Sequence, residues 1–123
     1  MNQSRFTKSD GWLLFTLSRT YQPLHDIISF GDHYNHAIFT YDELNLGLTR
    51  LIQNGYAEQS DNKFRITKKG KGIIESHFFG DSVTDMINLS DKMVLMESEI
   101  QVDYSNPVIS LIDYESAIKK YLI

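Results

Sequence analysis

Residues 40–72 carry three structural signals in succession, and they constrain the fold more than any other stretch of the chain. The sequence Thr40-Tyr-Asp-Glu43 matches a capping box, in which a hydroxyl at the cap and a carboxylate three residues later bond the free amides of a helix start. An apolar stripe with helical spacing follows. It ends at Asn54-Gly55, where Gly55 suits the left-handed residue after a helix. We therefore predict a helix over residues 40–54.

Two short segments after this helix have the alternation expected of strands. They cover residues 56–60 and 63–67, and Asp61-Asn62 between them suits a tight turn that needs positive φ. The second segment has one apolar face and one basic face, so one side is predicted to pack and the other to be exposed. Thr67 is then placed to cap a helix over residues 68–79.

The remaining sequence predicts helices on both sides of this region. Two precede it, over residues 9–21 with Ser9 as the cap and over residues 23–36 with Pro23 in the first turn. After residue 80, an apolar seam from Met86 to Ile100 and a second seam after Asn106-Pro107 predict two more.

The order of two helices, a capped helix, a hairpin and a Gly-containing helix entry resembles the winged helix-turn-helix superfamily of bacterial transcriptional regulators, broadly its MarR and PadR classes. The resemblance covers about residues 9–78 and is carried by Leu44-x3-Leu48-x2-Leu51-Ile52, by Asn54-Gly55-Tyr56 and by Phe64-Arg65-Ile66-Thr67-x2-Gly70. It implies a mostly α fold with a small two-stranded β-hairpin. A winged helix-turn-helix domain would span residues 1–80, and a C-terminal helical extension for packing or dimerisation would span residues 81–123.

The resemblance also implies a DNA-binding transcriptional regulator, with helix 40–54 in the major groove and hairpin 56–67 on the backbone of double-stranded DNA. Wheel geometry places Thr49, Arg50 and Gln53 opposite the buried stripe and Asn45 on its flank, where these four side chains could read base edges. A second set of cations could contact phosphates: Lys63, Arg65, Lys68, Lys69 and Lys71. The alternative for both sets is an ordinary solvated surface.

Charge favours a second function. The net charge is −4, and residues 73–123 hold nine Asp and Glu but only three Lys and Arg. The capped helix begins Tyr41-Asp42-Glu43, and carboxylates at a helix start would face phosphates badly. The alternative prediction is a winged-helix protein–protein interaction module that does not bind DNA.

Two apolar seams after residue 80 predict a homodimer, because about 50 residues of amphipathic helix exceed what a small winged helix needs for its core. Their spacing alternates between three and four residues, as in helices that pair. The predicted interface residues are Met86, Leu89, Met93, Met96, Ile100, Leu111 and Ile118. The alternative is that the first seam covers the core of the same chain, which is the usual role of methionine-rich stripes.

Other chemistry has little support in the sequence. There is no cysteine, no Gly-rich phosphate loop, no HExxH motif and no nucleophile elbow, so we expect neither an enzyme nor a cofactor. His25, His33 and His36 share one segment, but nothing completes a metal site. The apolar run 12–17 is too short for a signal peptide or a membrane span, so a cytoplasmic protein without membrane contact is expected. A third hypothesis is a ligand- or metal-responsive switch with its pocket between the core and the last two helices.

Overall fold

The computed structural model describes residues 2–76, 82–96 and 100–123, and within those ranges the chain forms six helices and five short strands. In chain order they are β1 (Asn2–Ser4), α1 (Lys8–Thr16), β2 (Gln22–Pro23), α2 (Leu24–Asn35), α3 (Tyr41–Gln53), β3 (Ala57–Ser60), β4 (Lys63–Ile66), α4 (Lys68–Glu75), α5 (Ser82–Met96), β5 (Ile100–Val102) and α6 (Leu111–Leu122). The chain is therefore mostly α-helical with little sheet, as predicted.

The predicted hairpin is present, but it belongs to a three-stranded sheet. Strands β3 and β4 pair antiparallel, and Asp61 in the turn has a φ of 54°. Strand β2 pairs with the other edge of β4 through Gln22 and Pro23, which gives the order β2-β4-β3. The prediction of two strands was wrong because a two-residue strand is too short to show alternation, and Pro23 had been assigned to a helix start.

Helix α3 matches its predicted bounds to within one residue. The Thr40 hydroxyl accepts a hydrogen bond from the Glu43 amide at 3.1 Å, and the Glu43 carboxylate accepts one from the Thr40 amide at 2.9 Å. Gly55 has a φ of 85°, which confirms the left-handed residue after the helix. Thr67 caps α4 by accepting from the Gly70 amide at 3.1 Å.

Several other helix ends differ from the prediction. Thr7, not Ser9, caps α1, and Leu17 takes an extended conformation, so α1 ends five residues before the predicted end at residue 21. Ile100 begins β5, which pairs with β1 (Ser4 opposite Ile100), rather than ending a helix. Helix α6 begins at Leu111, where Ser110 is its cap. The predicted end of α4 at residue 79 lies outside the described residues.

Helix α1 lies at the centre of the fold. It packs against α2, α3 and α5, and Leu13 and Leu14 are fully buried. The Trp12 ring stacks on Phe39 with 3.6 Å between ring centroids, and its Nε1 donates to the Gly31 carbonyl at 3.0 Å. Helix α6 packs on α2 at the edge of this core.

Candidate functional site

The face of α3 that was predicted to read DNA is largely covered by the chain itself. Thr49 is 2% exposed and Arg50 is 7% exposed, so the prediction that they face solvent was wrong. Asn45 is half-buried, and only Gln53 among the four is exposed. The three-and-four spacing gave the buried stripe correctly, but wheel geometry could not reveal that the opposite side is also covered.

Arg50 forms a bidentate ion pair with Asp10, which is fully buried near the start of α1. The Arg50 Nε donates to Asp10 Oδ2 at 2.7 Å, and Nη2 donates to Asp10 Oδ1 at 2.9 Å. The remaining arm, Nη1, donates to the Tyr104 hydroxyl at 3.2 Å, and that hydroxyl lies 2.6 Å from the Ser4 Oγ. One network therefore joins β1, α1, α3 and the chain after β5.

Local sequence explains how Asp10 reaches this position. Its Oδ2 also accepts from the Thr7 amide at 2.9 Å, so the carboxylate completes the capping box of α1 while it faces α3. Gly47 lets α1 lie close, because a Cβ there would be 2.9 Å from Asp10 Oδ1 and 3.0 Å from Leu13 Cδ2.

The ion pair holds Arg50 firmly in its charged form. Burial by itself lowers the pKa of a guanidinium, since it disfavours the charge. Here the hydrogen bonds and negative charge of Asp10, helped by Tyr104, outweigh burial and raise the pKa of Arg50 above its ordinary value. A charge that is paired in this way is a structural group, and it is not available to a guanine or a phosphate.

Residues 103–109, which we call the covering segment, bind two further side chains on the outward side of α3. Asn45 Oδ1 accepts from the amides of Val108 and Ile109 at 2.8 and 3.2 Å. Gln53 makes a matched pair with the backbone of Asp103, donating at 2.7 Å and accepting at 2.8 Å. The side-chain amides of Asn45 and Gln53, which were predicted to bind DNA bases, thus bind backbone groups of the same chain.

The covering segment is anchored by apolar residues at both ends. Val102, the last residue of β5 and directly before the segment, and Ile109, the last residue of the segment, are fully or almost fully buried. The Tyr41 hydroxyl also donates to the Ile109 carbonyl at 2.8 Å. Entry of α3 into a DNA groove would require these side chains to leave the core.

The predicted basic set remains at the surface but is only partly free. Arg65 donates to Glu58 Oε2 at 3.0 Å and lies over the Tyr21 ring, and Lys69 Nζ donates to the Asn54 carbonyl at 2.9 Å. Lys63 and Lys68 are exposed. Lys63 lies at the tip of the hairpin, whereas Lys68 and Lys69 lie in the first turn of α4, at the other end of β4.

The two apolar seams have different environments. Four residues of the first seam are at most 4% exposed and belong to the core of the same chain: Met86, Leu89, Met93 and Ile100. The prediction that they lie on a dimer surface was therefore wrong. The side chain of Met96 lies outside the described part. On α6, Leu111 is 53% exposed while Ile118 is partly buried. Among the described side chains of the two seams, Leu111 is the most accessible to another molecule.

Within the described ranges, no three His, Cys, Asp or Glu side chains come together as a metal site would require. His25 lies 3.3 Å from Asp26, and His36 takes the left-handed position that ends α2. In the same ranges no helix has the length and apolar character needed to cross a bilayer.

Sequence reasoning missed Asp10 and Tyr104, the two residues that hold Arg50. Asp10 had a detectable signal, since Thr7-x2-Asp10 has capping-box spacing. Tyr104 had none, because the contact joins residues 54 positions apart.

Comparison with protein-family models, with curated proteins and with solved structures finds no match to this chain.

Proposed function

We propose that this chain is a protein-interaction module of winged-helix type, which pairs with a second copy through α6 and does not use α3 to read DNA. The observation that carries the proposal is the covered face of α3, where Arg50 and Asn45 are bonded within the chain. The sheet order β2-β4-β3 beside α2 and α3 supports the winged-helix type. In this sheet the hairpin of β3 and β4 is extended by β2, the short strand that follows the first helix, α1.

The surface proposed for pairing is an apolar stripe on α6. Leu111, Ile118 and Leu122 follow one another at seven and four residues, which keeps them on one side of a helix. Leu111 and Leu122 are more than half exposed, and Ile112 beside them is 75% exposed. Exposed apolar side chains that gather on one helix face mark a contact surface more often than isolated ones do.

Charge on the same face suits a second copy of the chain. A dimer with a two-fold axis places the same surface on both sides of the contact. If two α6 helices lie antiparallel with the axis near residue 117, Leu111 faces the partner's Leu122, and Glu115 faces the partner's Lys119. The stripe is therefore complementary to itself in apolar contact and in charge.

The expected dimer is weak. Each subunit would contribute one 12-residue helix, which places the contact at or below the lower end of specific interfaces, about 1,200 Å² in total. We therefore expect dissociation on dilution, and sedimentation velocity over a wide concentration range is the appropriate measurement.

Charge exchange across α6 tests the proposal directly. Glu115→Lys and Lys119→Glu should each weaken the dimer, because each puts like charges opposite one another, whereas the double exchange should restore it. Phe30→Ser, which removes an exposed apolar side chain from α2, is the matched control and should leave the dimer intact. A chain that sediments as a monomer at all concentrations, or a dimer that ignores the exchange, would contradict the proposal.

A second candidate function is nucleic-acid binding by backbone contact alone, and the exposed Lys63 and Lys68 favour it. Such binding would leave α3 and the covering segment undisturbed. It should weaken steeply with salt and show no sequence preference, because phosphates carry no base information. Lys63→Ala and Lys68→Ala should each reduce the salt slope by about one, while Lys92→Ala on α5 should not. Anisotropy of labelled duplex DNA that shows no binding at about 50 mM salt would reject this candidate.

A further inference from the structure

A cavity of about 430 Å³ opens between the end of α1, α2 and α4. Its volume lies in the range of small-molecule sites, about 300–1,000 Å³. The interior is apolar: Phe15 and Tyr34 meet edge to face with 5.1 Å between ring centroids, and Leu17, Ile66 and Ile74 complete the wall. None of the described residues that line it belongs to α5 or α6, so it differs from the pocket that the sequence suggested.

Three charged residues stand at the cavity: Arg19, Lys71 and Glu75. Across the part of the chain that the structure describes, neither Arg19 nor Lys71 has an ion-pair partner. The chain that carries Arg19 is held in place, because the Ser18 amide donates to Gln22 Oε1 at 3.0 Å and the Ser18 carbonyl accepts from the Ile66 amide at 2.8 Å. The three described charged residues at the opening therefore carry a net charge of +1.

We propose that this cavity binds a small amphipathic monocarboxylate, with its apolar body against Phe15, Tyr34 and Ile74 and its carboxylate on Arg19 and Lys71. A guanidinium can grip a carboxylate through two parallel hydrogen bonds, and an ammonium adds a point charge. Glu75 at the opening selects against a second negative charge on the ligand. The site uses neither the α6 stripe nor the α3 face, so it goes beyond the proposed interaction function.

An aromatic or an aliphatic body would satisfy the same chemistry, and two probes separate them. We would titrate the full chain with 1-naphthoate and with octanoate, using 1-naphthamide as the neutral match. Amide chemical shifts in a two-dimensional NMR spectrum locate each probe, and their concentration dependence gives its affinity. We expect the shifts at residues 15–19, 34 and 66–75, with at least one carboxylate binding about tenfold more tightly than the amide.

Substitutions at the opening should lower affinity without affecting the fold. Arg19→Gln and Lys71→Gln each should weaken carboxylate binding by about tenfold and leave amide binding unchanged. Lys120→Gln on α6 removes a cation far from the cavity along the chain and is the charge control. Ile74→Trp fills the cavity and should weaken both carboxylates and the amide. If that variant fails to fold, the Arg19 and Lys71 variants decide, because these side chains lie at the opening.

Three results would overturn the proposal. The first is that neither carboxylate perturbs the cavity residues at millimolar concentration. The second is equal binding of 1-naphthoate and 1-naphthamide, which would leave no role for the cations. The third is that Lys120→Gln weakens carboxylate binding as much as Arg19→Gln does. This result would mean that the carboxylate binds elsewhere, or that its affinity depends only on the net charge of the protein.

Discussion

The Asp10 carboxylate and the Arg50 guanidinium meet through two hydrogen bonds of 2.7 and 2.9 Å across a separation of 40 residues. The pair joins the first turn of α1 to the last turn of α3, and both side chains are almost fully buried. Because each charge depends on the other, the pair fixes the relative position of these helices more than it adds net stability.

Removal of one member of this pair should be far more harmful than removal of both. Arg50→Ala leaves the Asp10 carboxylate buried without its partner, which we expect to lower the free energy of unfolding by about 3–5 kcal/mol. The double variant Asp10→Leu/Arg50→Met should recover much of that loss. Urea denaturation followed by circular dichroism measures both.

The exposed pair between Arg65 and Glu58 is the control for this prediction. Its side chains are 38% and 45% exposed, so Arg65→Ala should destabilise the protein far less than Arg50→Ala does. Equal losses for Arg50→Ala and Arg65→Ala would show that the buried pair is not the structural link described above.

The contact between Asn45 and the covering segment gives a second prediction. Asn45→Ala removes the acceptor for two backbone amides, and we expect it to destabilise the protein by about 1–3 kcal/mol. Residues 103–109 should also become more susceptible to limited proteolysis, since their local opening becomes easier. Asn62→Ala in the exposed hairpin turn should change neither stability nor cleavage at this segment.

Local chemistry explains which parts of the fold could be predicted from the sequence. The bounds of α3, the left-handed Gly55 and the cap at Thr67 depend on residues within four positions of one another, and these predictions were confirmed. Strands β1 and β5 could not be found in this way, because two three-residue strands pair across nearly the whole chain.

The burial of Thr49 and Arg50 on α3 could not be predicted for a related reason. Helical spacing shows that Arg50 lies opposite Leu44 and Leu48, but not whether water, DNA or protein lies beyond it. In this chain Asp10 and the covering segment lie there, and only long-range contacts reveal them. Spacing also could not show that the seam of α5 is buried while Leu111 in the seam of α6 is exposed, because both predicted seams alternate three and four residues.

Two glycines on different helices should respond to alanine in opposite directions. A Cβ at Gly11 would lie 2.5 Å from the Ser90 Cα, where α1 crosses α5, so Gly11→Ala should destabilise by about 1–3 kcal/mol. A Cβ at Gly72 would meet no atom within 4 Å among those described, so Gly72→Ala should stabilise α4 by up to about 1 kcal/mol. Thermal unfolding of the two variants tests the close crossing of α1 and α5. A stabilised Gly11→Ala variant would contradict it.

The two apolar seams should separate stability from assembly. Met93 is fully buried, so Met93→Ala should lower the free energy of unfolding by about 2–5 kcal/mol. Ile112→Ser on α6 should change stability by no more than about 0.5 kcal/mol. Under conditions in which both variants are folded, sedimentation should show weaker dimerisation only for Ile112→Ser. If Met93→Ala weakened dimerisation and Ile112→Ser did not, the dimer interface would lie on α5.

Alkaline pH should loosen the attachment of α6 to the core. The hydrogen bond from the Tyr121 hydroxyl to Asp32, together with burial and the charge of Asp32, raises the pKa of Tyr121. Burial, with the charge of Glu43, raises the pKa of Tyr114, whose hydroxyl donates to the Phe39 carbonyl at 2.7 Å. Both phenols therefore keep their protons more readily in the folded chain than in the unfolded chain.

The direction of the pH effect follows from linkage. A group whose pKa is raised by folding contributes its full stabilisation below the unfolded pKa, about 10 for tyrosine, and loses it as pH rises through the folded pKa. The urea concentration at the unfolding midpoint should therefore decrease as the pH rises above about 10. This decrease should be smaller in the Tyr114→Phe/Tyr121→Phe variant. Tyrosinate absorbance, measured in parallel, identifies the ionisation. If the variant and the parent chain show the same alkaline slope, these two hydroxyls do not hold α6 in place.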